Sequence, residues 1–502
     1  MHPRVPSGSR ALVASVASFM IVALVAATPD SPFTPVLPTP SSGPLRWVAE
    51  VIGLGSLHGS ALAAVGVLAV ALAAGAFVLV LLGCWRGEIA PRKVLVLAAV
   101  YHIVLLFLPL LFSRDVYSYV YHGKIAATYH ANPYFATPSD YPSDALAVFV
   151  GPKWVDTPAV YGPLWTQVSS LIARIADDVG AFVVTFRAIA IGASLATVLI
   201  VSRLVRRVRP EREAFAVALV GCNPVVLFQS AASGHNDLLV ALSLAAALSL
   251  MFSGRDLWAS AALALGALVK VTAVVPLFLF WVVVAVRRPR GERLRALAPH
   301  LGLVAGMALL AAAPFANTKD PTLGMVELAS HEGWLAPSRF FRRLFDAIGG
   351  DAFGWVPRLV FPALLVGAIA VIMRAVTRRA PDVSSRLAGA SWGWGLLCLM
   401  LLGPVLLPWY VTWALPLGWL LPRVPLTVLI GTGLALTVSQ WTSEPALFEA
   451  AYDANLLFGH YVVTPVVIAL LGWLLLDLWR RTRSGAPLED EPRHVASATG
   501  QH

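Results

Sequence analysis

The chain has 502 residues, of which 58% are apolar or aromatic and only 13% are charged. Soluble domains carry about 25% charged residues, so this composition excludes a soluble globular protein. In a soluble protein the net charge of +10 would suggest nucleic-acid binding. In a membrane protein, Arg and Lys accumulate in cytoplasmic loops, so the same excess indicates orientation and no nucleic-acid partner is expected.

Apolar runs alternate with short polar segments along most of the chain, and a membrane-spanning helix needs about 20 residues. We therefore expect an all-α polytopic membrane protein with about 13–14 transmembrane helices and short helices in its outer loops. The first run follows Arg4 and Arg10 and is expected to be an uncleaved anchor, because it is longer than the apolar part of a signal peptide. The runs lie near 11–28, 59–83, 94–113, 181–203, 214–230, 238–252, 257–269, 271–286, 297–315, 359–376, 389–406, 407–422, 425–441 and 461–479.

The basic residues predict the orientation of these runs. With a cytoplasmic N-terminus, the cytoplasmic loops hold 25 of the 37 basic residues, in agreement with the positive-inside rule. The loops on both sides of 257–286 are then cytoplasmic, so this stretch must cross the membrane twice, as two short helices that turn near Lys270. The cytoplasmic loops are then 1–10, 84–93, 203–213, 253–256, 287–296, 374–386, 423 and 480–502.

This topology predicts one polytopic domain over 1–479, followed by a disordered cytoplasmic tail at 480–502. The outer segments are longer than the cytoplasmic ones and are rich in Trp, Tyr, Pro, Asp and His. Long loops of this kind are often functional, so we expect 114–180 and 316–358 to cover an active site that faces outward from the plasma membrane.

A polar cluster follows the third apolar run, beginning at Arg114 and Asp115 and continuing with Tyr117. In a helix, Asp115, Tyr119 and His122 recur at spacings that place them on one face. A carboxylate, a phenol and an imidazole would then line one surface at the membrane boundary. The alternative is an interfacial aromatic belt in which Arg114 and Asp115 form a solvated pair.

Aromatic residues continue through the same outer segment at Tyr134, Trp154, Tyr161 and Trp165, with Asn132 just before them. We expect exposed aromatic planes on which sugar rings or prenyl chains stack, held by loops that Pro and Gly make rigid. Ordinary packing within the loop is the alternative.

Two further features lie at the ends of short apolar runs. The turn that contains His235, Asn236 and Asp237 is expected to lie below the outer interface and to line a water-filled cavity. A tight surface turn with His235 in water is the alternative. Lys270 has no acidic residue within one helical turn, so its ammonium needs an anion from elsewhere in the chain or from a ligand such as a lipid phosphate. Snorkelling of Lys270 to the interface is the competing explanation.

The outer segment 316–358 places His331 near three arginines, which include Arg339 and Arg342. Arginine is suited to binding phosphate oxygens, so these side chains are candidate ligands for a phosphate group. Nonspecific binding of lipid headgroups is the alternative.

The order and spacing of four motifs resemble those of actinobacterial GT-C fold glycosyltransferases. In particular they resemble the polyprenyl-phosphate-mannose-dependent α-1,6-mannosyltransferases that build lipomannan and lipoarabinomannan cores. This resemblance implies a lipid-linked sugar donor, no nucleotide-binding domain, and a catalytic carboxylate in an extracytoplasmic loop, at Asp115. The motifs are Arg114-Asp115-Val116-Tyr117-Ser118-Tyr119, Asn132-Pro133-Tyr134, Thr157-Pro158-Ala159-Val160-Tyr161-Gly162-Pro163 and Gly234-His235-Asn236-Asp237.

The resulting hypothesis is a hexosyltransferase that moves mannose from polyprenyl-phosphate-mannose to a glycolipid or polysaccharide hydroxyl, with an α-1,6 linkage and inversion implied by the resemblance. Asp115 is the predicted general base, no cofactor is predicted, and a divalent metal is left open. A transporter or flippase for lipid-linked sugars is the competing class. Predicted ligands of the donor phosphate are His235, Lys270, Arg339 and Arg342. Predicted substrate-binding residues are Arg114, Tyr117, Tyr119, His122, Asn132, Tyr134, Trp154, Tyr161, Trp165, Asn236, Asp237 and His331.

Overall fold

The structure is a computed structural model that describes residues 7–37, 45–152, 154–176, 178–316, 332–333, 335–349, 353–442 and 449–490. Within these ranges the chain forms helices and no β-strand, which confirms the all-α class. The α-helices are α1 (Gly8–Ala26), α2 (Arg46–Val51), α3 (Gly59–Trp85), α4 (Pro91–Leu105), α5 (Asp115–Ala127), α6 (Ala147–Val150), α7 (Pro163–Ile175), α8 (Val179–Val208), α9 (Glu213–Gly221), α10 (Asp237–Phe252), α11 (Asp256–Val269), α12 (Val274–Val286), α13 (Arg293–Ala312), α14 (Pro337–Gly349), α15 (Trp355–Thr377), α16 (Ser385–Leu402), α17 (Arg423–Thr437), α18 (Glu449–Phe458) and α19 (Thr464–Ser484).

In the described ranges, eight helical stretches are long and apolar enough to cross a membrane, which confirms a multi-pass membrane protein. Four shorter apolar helices are α10, α11, α17 and the stretch Val271–Val286. Helix α1 packs against α3, and its Phe19 ring stacks on Tyr101 with 4.1 Å between ring centres. The eight long stretches are α1, α3, α8, Pro210–Ala231, Arg290–Phe315, α15, α16 and Glu449–Ser484.

The loops predicted to be cytoplasmic meet at one end of the bundle, which we call the arginine side. There Arg209 pairs with Asp490 at 2.8 Å, and the Arg212 guanidinium lies 3.3 Å from the ring centre of Trp85. Helices α8, α10 and α11 each have one end on the arginine side. Their other ends therefore lie together at the opposite end of the bundle, which we call the site side.

The stretch 257–286 forms two helices, as the basic loops on both sides of it predicted. Helix α11 ends at Val269, Lys270 is extended, and α12 begins at Val274 after a single 3-10 turn. The far ends of the two helices meet again on the arginine side, where Arg287 pairs with Asp256 at 3.3 Å. The pair of helices is thus a hairpin with Lys270 at its turn on the site side.

The apolar run 407–422 is not the α-helix that its composition suggested. It forms two 3-10 helices, Pro408–Trp413 and Leu415–Leu420. A 3-10 helix rises about 2.0 Å per residue against about 1.5 Å for an α-helix, so this short stretch extends over most of the apolar thickness of a membrane. It runs from the site side to the arginine side, where the Leu420 carbonyl accepts a hydrogen bond from the Asp490 amide.

The prediction of a disordered tail from residue 480 is wrong for its first part. Helix α19 continues to Ser484, and 485–490 pack against the arginine side. Leu488 is buried, and its carbonyl accepts a hydrogen bond from the Trp394 indole at 2.9 Å. The polar composition of this segment suggested solvation, but its carboxylates neutralise arginines on neighbouring helices. The remainder, 491–502, lies outside the described residues.

Candidate active site

Asp115 is the first residue of α5, and this helix is separate from the apolar helix α4 that precedes it. The Ser113 hydroxyl donates to Asp115 Oδ1 at 2.9 Å, and the Tyr161 hydroxyl donates to Oδ2, also at 2.9 Å. His235 Nδ1 lies 3.5 Å from the same Oδ2. A carboxylate at a helix N-terminus also interacts favourably with the helix dipole.

These contacts keep Asp115 ionised. Burial raises the pKa of Asp115, but His235 and the hydroxyls of Ser113 and Tyr161 lower it further, and the resulting pKa is about 2. About a fifth of the side chain remains exposed, so a ligand can reach it. Asp115 is therefore an accessible anion. Its Oδ1 accepts the Ser113 hydroxyl, and its Oδ2 accepts the Tyr161 hydroxyl beside His235.

The turn before α10 is buried, so the alternative of a surface turn with His235 in water is wrong. His235 is fully buried and its ring stacks on that of Trp409 with 3.9 Å between centroids. His235 Nε2 and both polar atoms of the Asn236 side chain have no hydrogen-bond partner among the described residues. Buried polar atoms without partners are rare in folded proteins, and beside a carboxylate they are suited to binding a polar ligand.

Lys270 has its anion within the chain. Its Nζ lies 2.8 Å and 3.0 Å from the two oxygens of Asp237, and the Trp413 indole donates to Asp237 Oδ1 at 2.7 Å. Both charged side chains are buried, which contradicts snorkelling of Lys270 to the interface. The Lys270 ammonium also lies 4.6 Å from the ring centre of Tyr410, a cation–π contact.

Tyr161 lies between the two carboxylates. Its hydroxyl binds Asp115, and Lys270 Nζ lies 5.9 Å from its ring centre. The next residue, Gly162, donates its amide to the Val269 carbonyl at 2.9 Å. A Cβ at Gly162 would overlap the Leu268 carbonyl oxygen, so only glycine permits this approach. The loop before α7 is thereby fixed to the end of α11, next to Lys270.

The predicted face of α5 is confirmed as a common surface. Asp115 and Tyr119 both contact Tyr161, and His122 Nε2 lies 3.2 Å from the Thr157 carbonyl. His122 is buried, and burial lowers the pKa of its imidazole to about 4. The face therefore packs against 157–161, and only its Asp115 end is accessible.

Most of the aromatic residues in this loop are buried, contrary to the expected exposed stacking planes. Trp165 packs edge-on against Tyr119, and Tyr117 packs against Phe149. The Tyr134 hydroxyl donates to the Tyr161 carbonyl at 2.8 Å. Several helices cover this loop and desolvate its rings, so the aromatics form the support of the site. Trp154 and Tyr161 stay partly exposed.

Asn132 and Arg114 also make contacts that hold the loop in place. The Asn132 amide donates to the Phe315 carbonyl at 2.9 Å, and its side-chain oxygen accepts the Tyr134 amide. Arg114 donates to the Val36 carbonyl at 2.5 Å. These two residues connect the loop to the end of α13 and to the segment after α1.

The arginines of 316–358 are only partly available for a ligand. Arg342 pairs with Glu332 at 2.5 Å and with Asp346 at 3.3 Å on α14. Arg339 Nη1 reaches only the Glu332 carbonyl, at 3.4 Å, and its buried Nε has no partner among the described residues. Burial lowers the pKa of Arg339, and the charges of Arg343 and Arg342 lower it further. His331 lies outside the described residues.

Sequence reasoning missed Trp409 and Trp413, which contact His235 and Asp237. The only signal was the aromatic density of Pro408-Trp409-Tyr410-Val411-Thr412-Trp413 inside an apolar run. It also missed Arg187, a buried cation in α8. In the part of the chain that the structure describes, no group of three or more His, Cys, Asp or Glu is arranged to hold a metal ion.

A family model described as alpha-(1->6)-mannopyranosyltransferase, N-terminal domain, matches residues 12–287. The chain belongs to this family. The match includes Asp115, Tyr161, His235, Asp237 and Lys270. The resemblance inferred from the four motifs is confirmed.

Two curated relatives carry related names. Over 321 residues the chain is 26% identical to alpha-(1->6)-mannopyranosyltransferase A of Mycobacterium tuberculosis, which covers 61% of this chain and 60% of that protein. Over 160 residues it is 31% identical to a probable alpha-(1->6)-mannopyranosyltransferase of Mycolicibacterium smegmatis, which covers 31% of this chain and 26% of that protein. The chain thus matches less than two thirds of the length of either relative. No solved structure matches the chain.

Proposed function

We propose that this protein is a membrane mannosyltransferase whose donor is polyprenyl-phosphate-mannose and whose acceptor is a hydroxyl of a cell-envelope glycolipid or polysaccharide. The observation that carries the proposal is the accessible, ionised Asp115 beside the unpartnered polar atoms of His235 and Asn236. The family and the names of its members favour mannose and an α-1,6 linkage.

In this mechanism Asp115 accepts the proton of the acceptor hydroxyl as its oxygen attacks C1 of the mannosyl unit. The new C1–O bond forms while the bond between C1 and the phosphate oxygen breaks, and its electron pair leaves with polyprenyl phosphate. The phosphate is a good leaving group, so one general base is sufficient. Attack from the opposite face inverts the configuration at C1.

Asp237 is not suited to act as this base. It is fully buried, and Lys270 and Trp413 occupy its oxygens. We therefore assign Asp237 and Lys270 to holding the site together, and Asp115 to proton transfer.

The departing phosphate needs donors that are free to bind it. Asn236 Nδ2 meets this requirement, and His235 Nε2 meets it when that nitrogen carries a proton. The unpartnered Nε of Arg339 meets it near the start of α14. Gly333, a few residues before this helix, donates its amide to the Pro404 carbonyl, which lies a few residues before Trp409. Arg342 is a weaker candidate because two carboxylates already bind it. The positive-inside rule, applied to the arginine side, supports a catalytic site that faces the extracytoplasmic space.

The test is transfer of radiolabelled mannose from polyprenyl-phosphate-mannose to a synthetic α-1,6-mannoside by the purified protein in proteoliposomes. We expect Asp115→Asn to lower kcat by about 100-fold to 10,000-fold, the usual contribution of a general base. Asp156→Asn is the matched control, because Asp156 is an exposed carboxylate in the same loop, and it should retain parental activity.

Digestion of the product with a linkage-specific α-mannosidase tests the linkage and the inversion. Full activity of a folded Asp115→Asn variant would exclude the base assignment. Movement of labelled donor across the membrane without glycosyl transfer would instead identify a flippase.

A further inference from the structure

Arg187, in α8, is a buried cation with unusual partners. Its side chain is 2% exposed, and the hydrogen bonds that it makes with described residues go to backbone carbonyls and not to an acid. Nε donates to the Ala232 carbonyl at 3.1 Å, and Nη1 donates to the Leu108 carbonyl. A buried charge inside a membrane protein is costly, so its retention indicates a functional reason.

The two carbonyls belong to two irregular segments that end at the site. Leu108 lies in 106–114, which leads directly into Asp115, and Ala232 lies in the turn that leads into His235. Backbone groups in irregular segments at this depth need internal donors, because no water or lipid group satisfies them. The guanidinium is a planar fork that supplies donors in two directions at once, which an ammonium does less well.

Two other contacts join the same segments. The Ser233 hydroxyl donates to the Leu111 carbonyl at 2.6 Å. Gly234 has a φ of +69°, and a Cβ there would lie 2.8 Å from Val116 Cγ2 and 3.5 Å from the Arg187 backbone nitrogen. The turn is therefore seated between the first turn of α5 and α8, with no space for a larger residue.

We propose that Arg187 is a positioning residue for the transfer reaction, and that it sets the contact between Asp115 and His235 by holding both of their backbone segments on α8. Arg187 itself touches no reacting atom. The inference rests on the proposed function, because the contact that it sets is the one assigned to proton transfer and phosphate binding.

Kinetics in proteoliposomes test the role in the reaction. A displacement of about 1 Å at a catalytic group costs about 100-fold in rate, so we expect Arg187→Met to lower kcat by about that factor with little change in the KM of donor or acceptor. Arg187→Lys keeps the charge and one directed donor and should recover part of the loss. Gly234→Ala should reproduce the fall in kcat by displacing the turn from the other side.

Ser194→Ala is the matched control. Ser194 is a buried polar residue two turns further along α8, and its hydroxyl lies 2.7 Å from His102 Nε2, away from the site segments. This variant loses a buried hydrogen bond but should keep parental kcat. Retention of more than half of kcat by Arg187→Met, or a loss that lies entirely in KM, would overturn the proposal.

Hydrogen exchange tests the structural part without any transfer activity. Amides of 106–118 and 228–238 should exchange faster in Arg187→Met than in the parent, and should be unchanged in Ser194→Ala. If the parent transfers no mannose but these segments respond, the proposed function fails and the role of Arg187 in holding both segments stands. If exchange in both segments is unchanged, the positioning role is wrong whatever the activity.

Discussion

Removal of either partner of the buried Lys270–Asp237 pair is expected to destabilise the protein strongly. Lys270 Nζ lies 2.8 Å and 3.0 Å from the Asp237 oxygens, and Asp237 has no exposed surface. Removing one partner leaves an uncompensated buried charge, which costs about 3–5 kcal/mol. Lys270→Met and Asp237→Asn should each lower the free energy of unfolding by this amount.

The double variant Asp237→Asn/Lys270→Met should be much more stable than either single variant. It leaves neither charge of this pair, and the side-chain oxygen of the introduced asparagine can still accept the Trp413 indole, which binds Asp237 at 2.7 Å in the parent. Replacement of a complete buried pair by neutral residues is often close to neutral, so we expect a free energy of unfolding within about 1 kcal/mol of the parent.

Unfolding of the purified protein in mixed micelles, titrated with denaturing detergent, measures this cycle. Additive losses in the double variant would refute the reasoning. The same variant separates the two roles that Lys270 could have. If Lys270 held the donor phosphate, the donor KM of the stable double variant would rise by about tenfold or more, whereas a purely internal pair predicts a change of less than about threefold.

Two further predictions follow from the site and from the arginine side. Tyr161→Phe removes a hydrogen bond to ionised Asp115 worth about 1.5–3 kcal/mol, so the pKa of Asp115 should rise from about 2 by roughly 1–2 units. The stability that ionised Asp115 contributes is complete above the ordinary pKa of an aspartate. It is lost as the pH falls through the pKa of Asp115 in the folded protein. Because that pKa is higher in Tyr161→Phe, the variant should lose this stability at a higher pH than the parent. Infrared titration of the protonated carboxyl band, with Asp115→Asn to assign it, measures the shift, and an unmoved band would contradict the assigned hydrogen bond. Leu488→Ala should lower the free energy of unfolding by about 2–5 kcal/mol, because Leu488 is buried against the arginine side. A variant with parental stability would show that 485–490 do not pack as described.

Local patterns in the sequence predicted the local structure well. The shared face of Asp115, Tyr119 and His122 follows from helical spacing, and the break at Lys270 follows from the charges that flank 257–286. Both depend on neighbours within one or two helices. The buried turn at His235 was also predictable, because the helices on either side of it are too short to carry it far from the membrane.

The contacts that complete the site depend on residues distant in the chain. Lys270 meets Asp237 across 33 residues, and Trp413 meets Asp237 across 176. Neither pairing has a local signature in the sequence. In addition, Trp413 lies in a run whose apolar composition is equally typical of a spanning helix. The prediction that the loop aromatics are exposed was wrong for the same reason, since α5, α7 and α8 bury them only after the chain has folded.

The two 3-10 helices that cross the bundle determine how the aromatic residues beside Lys270 are arranged. A period of three residues per turn places every third side chain in line, and the rings of Tyr410 and Trp413 accordingly stack with 4.2 Å between centroids. Rewinding this stretch as an α-helix would shorten it by about 0.5 Å per residue and rotate Trp413 away from Asp237. Pro416 lies in the interior of this stretch and has no backbone N–H for an α-helical hydrogen bond, so it opposes that rewinding. Replacing it with a strong α-helix former is therefore a greater risk to the site than many substitutions closer to Asp115.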